Sequence, residues 1–220
     1  MNVLLFGASG MVGQGVLHTC LEDSRVERIL VVTRKVLDST SPKVEQLVRQ
    51  DFLDWSDVED RFAGFDTCFF CLGVSSVGMD EARYRAVTYD ITMAVALMLE
   101  RVGSLRTFIY VSGAGTNAQG RQMWARVKGQ TESALLLLPF RQIYCFRPGY
   151  IQPMHGVQSK TGWYNAIYKV AGWMYPVLRA LAPKYVITTD EIGTAMIGVS
   201  ERGFSRGILE SVDIRDAAKV

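Results

Sequence analysis

The sequence predicts an α/β protein, a doubly wound parallel sheet of the Rossmann type with a small C-terminal lobe. Three observations support this fold class. Short apolar runs alternate with longer segments of helical period, a glycine-rich turn follows the first run, and runs such as Ile29–Val32 lack polar alternation. Uninterrupted apolar strands are typical of parallel sheets, because helices cover both faces. The 220 residues, 49% of them hydrophobic, are enough for one sizeable core.

The predicted elements follow one another as strand and helix along the chain. The expected strands are Val3–Phe6, Ile29–Thr33, Gln46–Gln50, Thr67–Cys71, Thr107–Val111 and Gln142–Phe146. The expected helices between them are Met11–Leu21, Trp55–Phe62, Asp80–Val102 and Gln122–Leu137. In Asp80–Val102 the apolar residues recur at steps of three and four, and Gly103 stands where a left-handed helix cap is favoured.

The character of the chain changes after Pro148. Residues 148–185 are rich in aromatic residues, glycine and proline. A second unit follows, in which Thr188 and Thr189 are expected to cap a helix over Asp190–Ser200, before a last apolar run at Gly207–Leu209. We therefore expect one domain over residues 1–220, with residues 148–205 contributing the small lobe.

Composition excludes several classes of function. The net charge of +2 is too small to indicate nucleic-acid binding. Four cysteines and two histidines do not assemble a zinc-type cluster, so no metal is expected. Cys68 and Cys71 fall on opposite faces of a predicted strand, which favours packing over pairing. No basic leader and no apolar stretch of about 20 residues is recognisable, so we expect a cytoplasmic protein.

The most specific motif is the glycine-rich turn between the first strand and the first helix. Glycines at positions 7, 10 and 13 allow a sharp turn, close approach of backbone amides to a pyrophosphate, and tight packing of helix on strand. The helix N-terminus adds unpaired N–H groups and a favourable dipole. The residues expected to contact a dinucleotide here are Gly7, Ser9, Gly10, Met11, Val12 and Gly13. The alternative is a purely structural turn.

The residues after the second strand favour NADP over NAD. An acidic residue commonly binds the ribose hydroxyls at this position in NAD sites, but this chain has Arg34 and Lys35. Two cations suit a 2′-phosphate, although a solvated basic loop would look the same. Further along, Asp51 and Phe52 are expected beside the adenine, and Leu72 and Gly73 are expected to allow close approach of the cofactor.

Several further motifs resemble the short-chain dehydrogenase/reductases in their extended and atypical branches. The resemblance rests on the glycine spacing, on Ser112 after the fifth strand, on Lys128 in the helix beyond it, and on Arg147-Pro148-Gly149 after the sixth strand. The chain is similar to the NAD-dependent epimerase/dehydratase-like proteins and to the Tat-interacting-protein-like oxidoreductases. The resemblance implies that Ser112 orients the substrate, that Lys128 binds the nicotinamide ribose, and that Pro148, Tyr150 and Ile151 line the nicotinamide.

One position departs from the family pattern. The Tyr-x-x-x-Lys helix of the family aligns with Trp124 and Lys128. An indole N–H donates a hydrogen bond but does not titrate in this range, so Trp124 cannot act as the general acid–base. The family's asparagine on the fourth helix is also replaced, with Thr88 the nearest candidate.

Two interpretations of Trp124 stay open. Either another group supplies the proton, the candidates being Tyr84, Tyr89, Tyr150 and His155, or the protein binds NADP(H) without turnover as a sensor. The first makes it a reductase or epimerase-like enzyme acting on an apolar carbonyl or hydroxy compound. Whether it is an enzyme is left undecided by the sequence.

The aromatic segment 163–182 carries no motif that selects a substrate. Its apolar residues fall on too many faces for a simple surface helix, so burial in the lobe or a dimer contact is favoured over a peripheral membrane contact. The expected partner is a small, apolar substrate, and the helices Asp80–Val102 and Gln122–Leu137 are candidates for a homodimer face.

Overall fold

The computed structural model describes residues 1–39, 41–155 and 186–219. Its central feature is a seven-stranded sheet in which every pair of neighbouring strands is parallel, in the order β3-β2-β1-β4-β5-β6-β9. A separate pair, β7 and β8, is also parallel. The strands are β1 Asn2–Phe6, β2 Arg28–Thr33, β3 Val44–Val48, β4 Thr67–Phe70, β5 Thr107–Val111, β6 Gln142–Arg147, β7 Tyr150–Gln152, β8 Val186–Thr188 and β9 Ile208–Glu210. The predicted fold class is confirmed.

Helices cover both faces of this sheet. The α-helices are α1 Met11–Glu22, α2 Glu81–Arg85, α3 Ile91–Val102, α4 Met123–Leu135, α5 Thr189–Arg202 and α6 Ser211–Ala218. A 3₁₀ turn spans Glu59–Phe62, and one π-helical turn, Ala86–Asp90, joins α2 to α3. Among the helices of the described ranges, none has the length and apolarity needed to cross a bilayer.

Strand β1 shows how the sheet separates two layers of core. Successive side chains of a strand point to opposite faces. Val3 and Leu5 therefore join the core beneath α1, α5 and α6, whereas Leu4 and Phe6 join the core beneath α3. All four side chains are fully buried, which explains the uninterrupted apolar run in the sequence.

The two layers differ in composition. The layer under α3 is rich in aromatic rings: Phe6 packs against Phe62 and Phe70, and Trp55 meets Phe6 edge to face with ring centroids 5.9 Å apart. The layer under α1 and α5 is mainly aliphatic. This aromatic layer supports the loop after β3, which borders the site described below.

Helices α1 and α5 approach closely because each presents a glycine to a threonine of the other. A Cβ added at Gly15 would lie 2.3 Å from Thr189 Cβ, and one added at Gly193 would lie 2.5 Å from Thr19 Oγ1. The helix after the glycine turn is therefore fixed against a helix near the end of the chain. Helix α5, within the expected lobe, packs into the main core.

Most expected elements are present, with shifted bounds. The third strand begins two residues earlier than expected, at Val44, and the fourth ends at Phe70 rather than Cys71. The expected helix Trp55–Phe62 is wrong, since only its last four residues form a 3₁₀ turn. The long helix after Asp80 is interrupted by the π turn.

The caps and terminal elements also bear on the sequence predictions. Gly103 adopts the expected left-handed cap, with φ 75°. Thr188 caps α5 as expected, although the helix starts at Thr189 and runs to Arg202. Strands β7 and β8 and helix α6 were not expected. The aromatic segment 163–182 lies outside the described residues.

Candidate nucleotide-binding and active site

The glycine turn after β1 leaves no room for side chains at two of its glycines. Gly7 has φ 82°, and a Cβ there would lie 2.6 Å from the backbone of Cys71 and Leu72. A Cβ at Gly13 would lie 2.2 Å from the carbonyl oxygen of Gly7. At Gly10 the nearest atom would be that same oxygen at 3.3 Å. The chain therefore turns from strand to helix with its backbone packed on itself.

The N-terminus of α1 is open to an anion. The first helical hydrogen bond runs from Gln14 N–H to Gly10 O, so the preceding amides have no partner within the helix. Gly10 is the N-cap and offers no side-chain cap, and the first turn contains no acidic residue. Unpaired amides, a positive dipole end and a turn free of side chains fit the diphosphate of a dinucleotide.

A cleft of about 590 Å³ opens above this turn, at the carboxyl edge of the sheet. Ligands of open α/β sheets bind at this edge, where the strand order reverses on either side of β1. The cleft combines residues from β2, β5, β7, α1 and α4 with residues from the loops that follow β1, β2, β3, β4 and β5. Its lining consists of Gly7, Ser9, Gly10, Met11, Val12, Val32, Thr33, Arg34, Phe52, Cys71, Leu72, Gly73, Val74, Ser75, Val111, Ser112, Lys128 and Ile151.

The end of β2 presents a cation to this cleft. Arg34 is exposed and lines it, and no acidic side chain in the described part of the chain pairs with Arg34. Lys35 is exposed but does not line the cleft. Thr33 donates its hydroxyl proton to the Lys35 carbonyl at 2.9 Å, which shapes the turn. The position that is acidic in many NAD sites is thus occupied by arginine.

Arg49 organises the loop that brings Phe52 to the cleft. Its guanidinium donates to the carbonyl oxygens of Asp51 (2.8 Å) and Asp54 (2.5 Å) and lies over the Trp55 ring. Phe52 is buried and lines the cleft. Asp51 instead accepts from the Leu53 amide at 2.7 Å and does not line it.

Ser112 is buried at the end of β5 and has a defined hydrogen-bond direction. The Thr116 hydroxyl donates its one proton to Gly113 O at 2.8 Å. The contact between Ser112 Oγ and Thr116 Oγ1, at 3.0 Å, therefore uses the Ser112 proton. The lone pairs of Ser112 Oγ are left to accept a hydrogen bond from a group in the cleft, such as a hydroxyl.

Lys128 reaches the cleft from α4. The helix packs against the preceding loop at Gly129, where a Cβ would lie 2.3 Å from the Ala118 nitrogen. Lys128 Nζ donates to Val111 O at 3.3 Å and to Ser112 O at 3.1 Å, and lies 5.3 Å from the Tyr110 ring centroid. Two of its three N–H bonds are thus used by the backbone, which leaves one for a ligand.

The surroundings of Lys128 change its proton affinity. Lys128 is partly buried and borders the cleft, and desolvation by the surrounding protein lowers the pKa of Lys128 to about 8. Cys71 also lines the cleft, but burial raises the pKa of its thiol. The pKa of Lys128 is therefore much closer to neutral pH than that of an ordinary lysine.

Trp124 does not line the cleft. Its ring lies near Gly115, where an added Cβ would be 3.6 Å from Trp124 Cη2. Gly115 itself has φ 83°, so the ring covers a turn that favours glycine. The direction of this side chain could not be read from the sequence.

None of the alternative proton donors considered from the sequence is among the lining residues. Tyr84 is buried. The Arg85 guanidinium lies over the Tyr89 ring, with Cζ of Arg85 4.0 Å from the ring centroid of Tyr89. Tyr150 donates to Gln152 Oε1 at 3.1 Å. His155 contacts Asp190 at 2.8 Å.

The segment after β6 contributes one side chain to the cleft. Ile151 lines it, whereas Pro148 is buried outside it and Tyr150 is turned to Gln152. Arg147 has a structural role here. It forms a bidentate ion pair with Glu132, at 3.0 and 2.5 Å, and Glu132 is only 2% exposed.

Sequence reasoning missed several residues of the site. Val32, Cys71, Val74, Ser75 and Val111 line the cleft beside residues that were expected there. Each lies within two positions of an expected residue, so the carboxyl ends of the strands were the available signal. Thr116, which orients the Ser112 hydroxyl, gave no such signal.

This fold and glycine turn define an NAD(P)-binding Rossmann protein of the short-chain dehydrogenase/reductase and epimerase type. The chain belongs to the NAD dependent epimerase/dehydratase family, whose family model matches residues 3–140. It is 27% identical over its whole length to "Protein FMP52, mitochondrial" of Eremothecium gossypii, and the match covers 98% of that protein.

Solved structures share the fold. A short chain dehydrogenase family protein from Francisella tularensis is 14% identical with a TM-score of 0.69, over 95% of both chains. The Bordetella bronchiseptica enzyme WbmF, solved in complex with NAD⁺, is 14% identical with a TM-score of 0.69, over 99% of this chain and 76% of that one. At these identities the likeness concerns the fold.

The expectation of a cytoplasmic protein is wrong. Relatives named mitochondrial occur in Eremothecium gossypii, Debaryomyces hansenii, Candida albicans and Saccharomyces cerevisiae. Average composition does not determine a compartment, because location depends on targeting signals and their receptors rather than on the core of a fold.

Proposed function

We propose that the protein is an NADP(H)-dependent reductase that interconverts a small, largely apolar carbonyl compound and its alcohol. The observation that carries this proposal is the convergence of Ser112 and Lys128 on the cleft that begins at the glycine turn. Lys128 Nζ lies 3.1 Å from the Ser112 carbonyl oxygen, so both residues face one ligand volume. A bound nicotinamide nucleotide would supply or accept the two electrons of the reaction.

The preference for NADP rests on Arg34. A planar guanidinium at the end of β2 can bind a 2′-phosphate through two parallel hydrogen bonds, and it carries no competing carboxylate in the described ranges. An acidic residue here would repel that phosphate. Arg34 thus supports the phosphorylated cofactor over NAD.

Lys128 is our candidate for the proton carrier that Trp124 does not provide. In the reducing direction Nζ releases its third proton to the developing alkoxide of the substrate, while its other two N–H bonds stay on Val111 O and Ser112 O. In the oxidising direction the neutral amine takes the proton from the alcohol. A group with a pKa of about 8 suits this task, because general acid–base catalysis works best near the operating pH.

Ser112 and the apolar wall support the substrate class. Ser112 Oγ, whose proton is held by Thr116, is poised to accept from an alcohol, and its rotation would let it donate to a carbonyl. Leu72, Val74 and Ile151 line the same cleft and favour an apolar ligand.

A second candidate function is that of a sensor which binds NADP(H) without turnover. Trp124 favours it, because this ring occupies the position of the family's tyrosine and lies against Gly115 rather than in the cleft. The sensor keeps the nucleotide contacts but needs no proton carrier.

The test combines turnover with a direct titration of Lys128. NADPH oxidation is followed with a panel of aldehydes, ketones and quinones, for the wild type and for Lys128→Met, Ser112→Ala and Trp124→Phe. We expect losses of at least about 100-fold in the first two variants and little change in the third. The ¹³Cε resonance of Lys128 is expected to titrate near pH 8, and Trp124→Phe should leave that midpoint unchanged.

The outcomes separate the two candidates. Steady turnover that falls in Lys128→Met supports the reductase. Tight NADPH binding with no oxidation of any substrate class supports the sensor. Turnover that survives in Lys128→Met, or a Lys128 resonance that titrates above pH 10, contradicts the role given to this lysine.

A further inference from the structure

A shallow depression lies at the edge of the sheet opposite the nucleotide cleft. It has a volume of about 600 Å³ and lies between the start of β6 and the loop joining α5 to β9. The cleft opens where the parallel strands end, whereas this depression opens where β6 and β9 begin. The two sites are therefore separated by the length of the strands, and neither the family match nor the proposed reaction accounts for the second.

The depression is lined by cations. Arg141, Arg202 and Arg206 all contribute to its wall and are exposed. No aspartate or glutamate of the described chain lines it. Three like charges around one concavity repel one another, so an anion placed between them would be favoured.

A buried tyrosine provides a neutral donor at the same place. Tyr144 is 5% exposed, and its hydroxyl oxygen accepts from the Phe204 N–H at 2.9 Å. Its proton has no acceptor among the described residues, although Tyr144 lines the depression. The Tyr144 hydroxyl therefore has a proton to donate to a ligand or to water in the depression.

The side-chain amide of Gln142 adds a second neutral donor. Its oxygen accepts from Thr107 Oγ1 at 2.8 Å, which turns the NH₂ end away from that contact. Gly203, with φ 79°, leaves room next to both donors: an added Cβ would lie 3.2 Å from Gln142 Nε2 and 3.6 Å from Tyr144 Oη. The missing side chain keeps these two donors accessible.

Two neighbouring carboxylates neutralise this group of arginines only in part. Glu201, adjacent to Arg202, pairs with Arg25 at 3.0 Å. Asp213 is 3.6 Å from Arg206, a long contact, and accepts from the Glu210 amide at 3.1 Å. Arg141 and Arg202 have no carboxylate partner among the described residues, so the depression keeps a net positive charge.

We propose that this depression binds a phosphate group. A ring of guanidinium groups with hydroxyl and amide donors between them matches the several acceptor oxygens and the charge of a phosphate monoester, carried either by a soluble metabolite or by a lipid headgroup. The site is independent of the nucleotide cleft.

The test reads the site locally. Inorganic phosphate is titrated against the ¹⁵N-labelled protein, with chloride at matched ionic strength as reference, and the amide resonances of residues 203–207 are followed. We expect saturable shifts for the wild type. The Arg141→Gln/Arg202→Gln variant should bind at least about tenfold more weakly, because charge-assisted hydrogen bonds are lost. Arg61→Gln, an exposed arginine outside the depression, should bind as the wild type does.

A second arm distinguishes the two sources of phosphate. Sedimentation with phosphatidylcholine vesicles that contain phosphatidic acid, compared with phosphatidylcholine alone, reports binding to a lipid headgroup. Phosphate binding with vesicle binding, both weakened by the double variant, supports a lipid source; phosphate binding alone supports a soluble one. Absence of saturable shifts at residues 203–207, or equal affinity in the double variant, overturns the proposal. Because this readout is local, a failure of NADPH binding elsewhere does not affect it.

Discussion

Replacing Gly13 by alanine tests the glycine turn most sharply. The new Cβ would lie 2.2 Å from the Gly7 carbonyl oxygen and 2.9 Å from Ala8 Cα, and both of these are backbone atoms. Since ordinary contacts begin near 3.4 Å, the turn and the helix have to separate by roughly 1 Å. Gly15→Ala is the matched control, because Gly15 lies on the same helix as Gly13 but away from the turn. Its added Cβ would lie 2.3 Å from Thr189 Cβ, a contact as close as the one at Gly13.

Both variants are expected to lose similar stability. Overpacking costs about 1–3 kcal/mol, and alanine regains about 1 kcal/mol of helix propensity. The net loss of about 0–2 kcal/mol corresponds to a melting temperature lower by up to about 8 °C for a chain of this length. Differential scanning calorimetry of the two variants measures this effect.

Only Gly13→Ala is expected to lose nucleotide affinity. A shift of the turn weakens one or two amide hydrogen bonds to the diphosphate, each worth about 1.5–3 kcal/mol, so NADPH affinity should fall by roughly 10- to 100-fold in titration calorimetry. Gly15→Ala should bind within about threefold of the wild type. If Gly13→Ala binds normally, or if both variants lose affinity alike, the diphosphate does not lie in this turn.

Three further predictions concern charged groups. Arg34→Glu should weaken NADPH binding far more than NADH binding in the same calorimetric assay, and an equal loss for both would show that Arg34 does not contact the 2′-phosphate. Arg147→Met should lower the free energy of unfolding in urea by about 3–5 kcal/mol, because it leaves Glu132 buried and unpaired, and Arg147→Met/Glu132→Leu should recover much of it; no recovery would refute this cause. The folded-state pKa of Lys128, about 8, lies below its unfolded value of about 10.4, so the unfolded state binds more protons between these two pH values. In urea unfolding, the stability of the wild type relative to Lys128→Met should therefore rise with pH across this window. A stability difference that does not change with pH would contradict the desolvation of Lys128.

The sequence predicted those elements whose burial pattern is unambiguous. Central strands such as β1 carry four fully buried apolar side chains, and the glycine turn needs only local backbone geometry. The edge strand β3 was shifted because it is only partly buried and its pattern is weak. The false helix at Trp55 arose because Phe52 and Trp55 are apolar for another reason: they fill the aromatic core from a loop held by Arg49.

The site was predicted in part, for similar reasons. Ser112, Lys128 and the glycine turn follow from motif positions, and the structure brings them to one cleft. The direction of Trp124 depends on a contact with Gly115 across a turn. The lowered pKa of Lys128 depends on its desolvation in the folded protein. Neither property is encoded in the spacing of residues along one helix.

The reciprocal glycine–threonine contact between α1 and α5 links the order of folding to the order of synthesis. Helix α1 follows the first strand, but the partner against which it is fixed begins at Thr189. During synthesis the diphosphate turn can form its local bonds early, yet its helix gains this support only after Thr189 and Gly193 have emerged. A nascent or C-terminally shortened chain is therefore expected to hold the nucleotide poorly, whatever the state of its glycines.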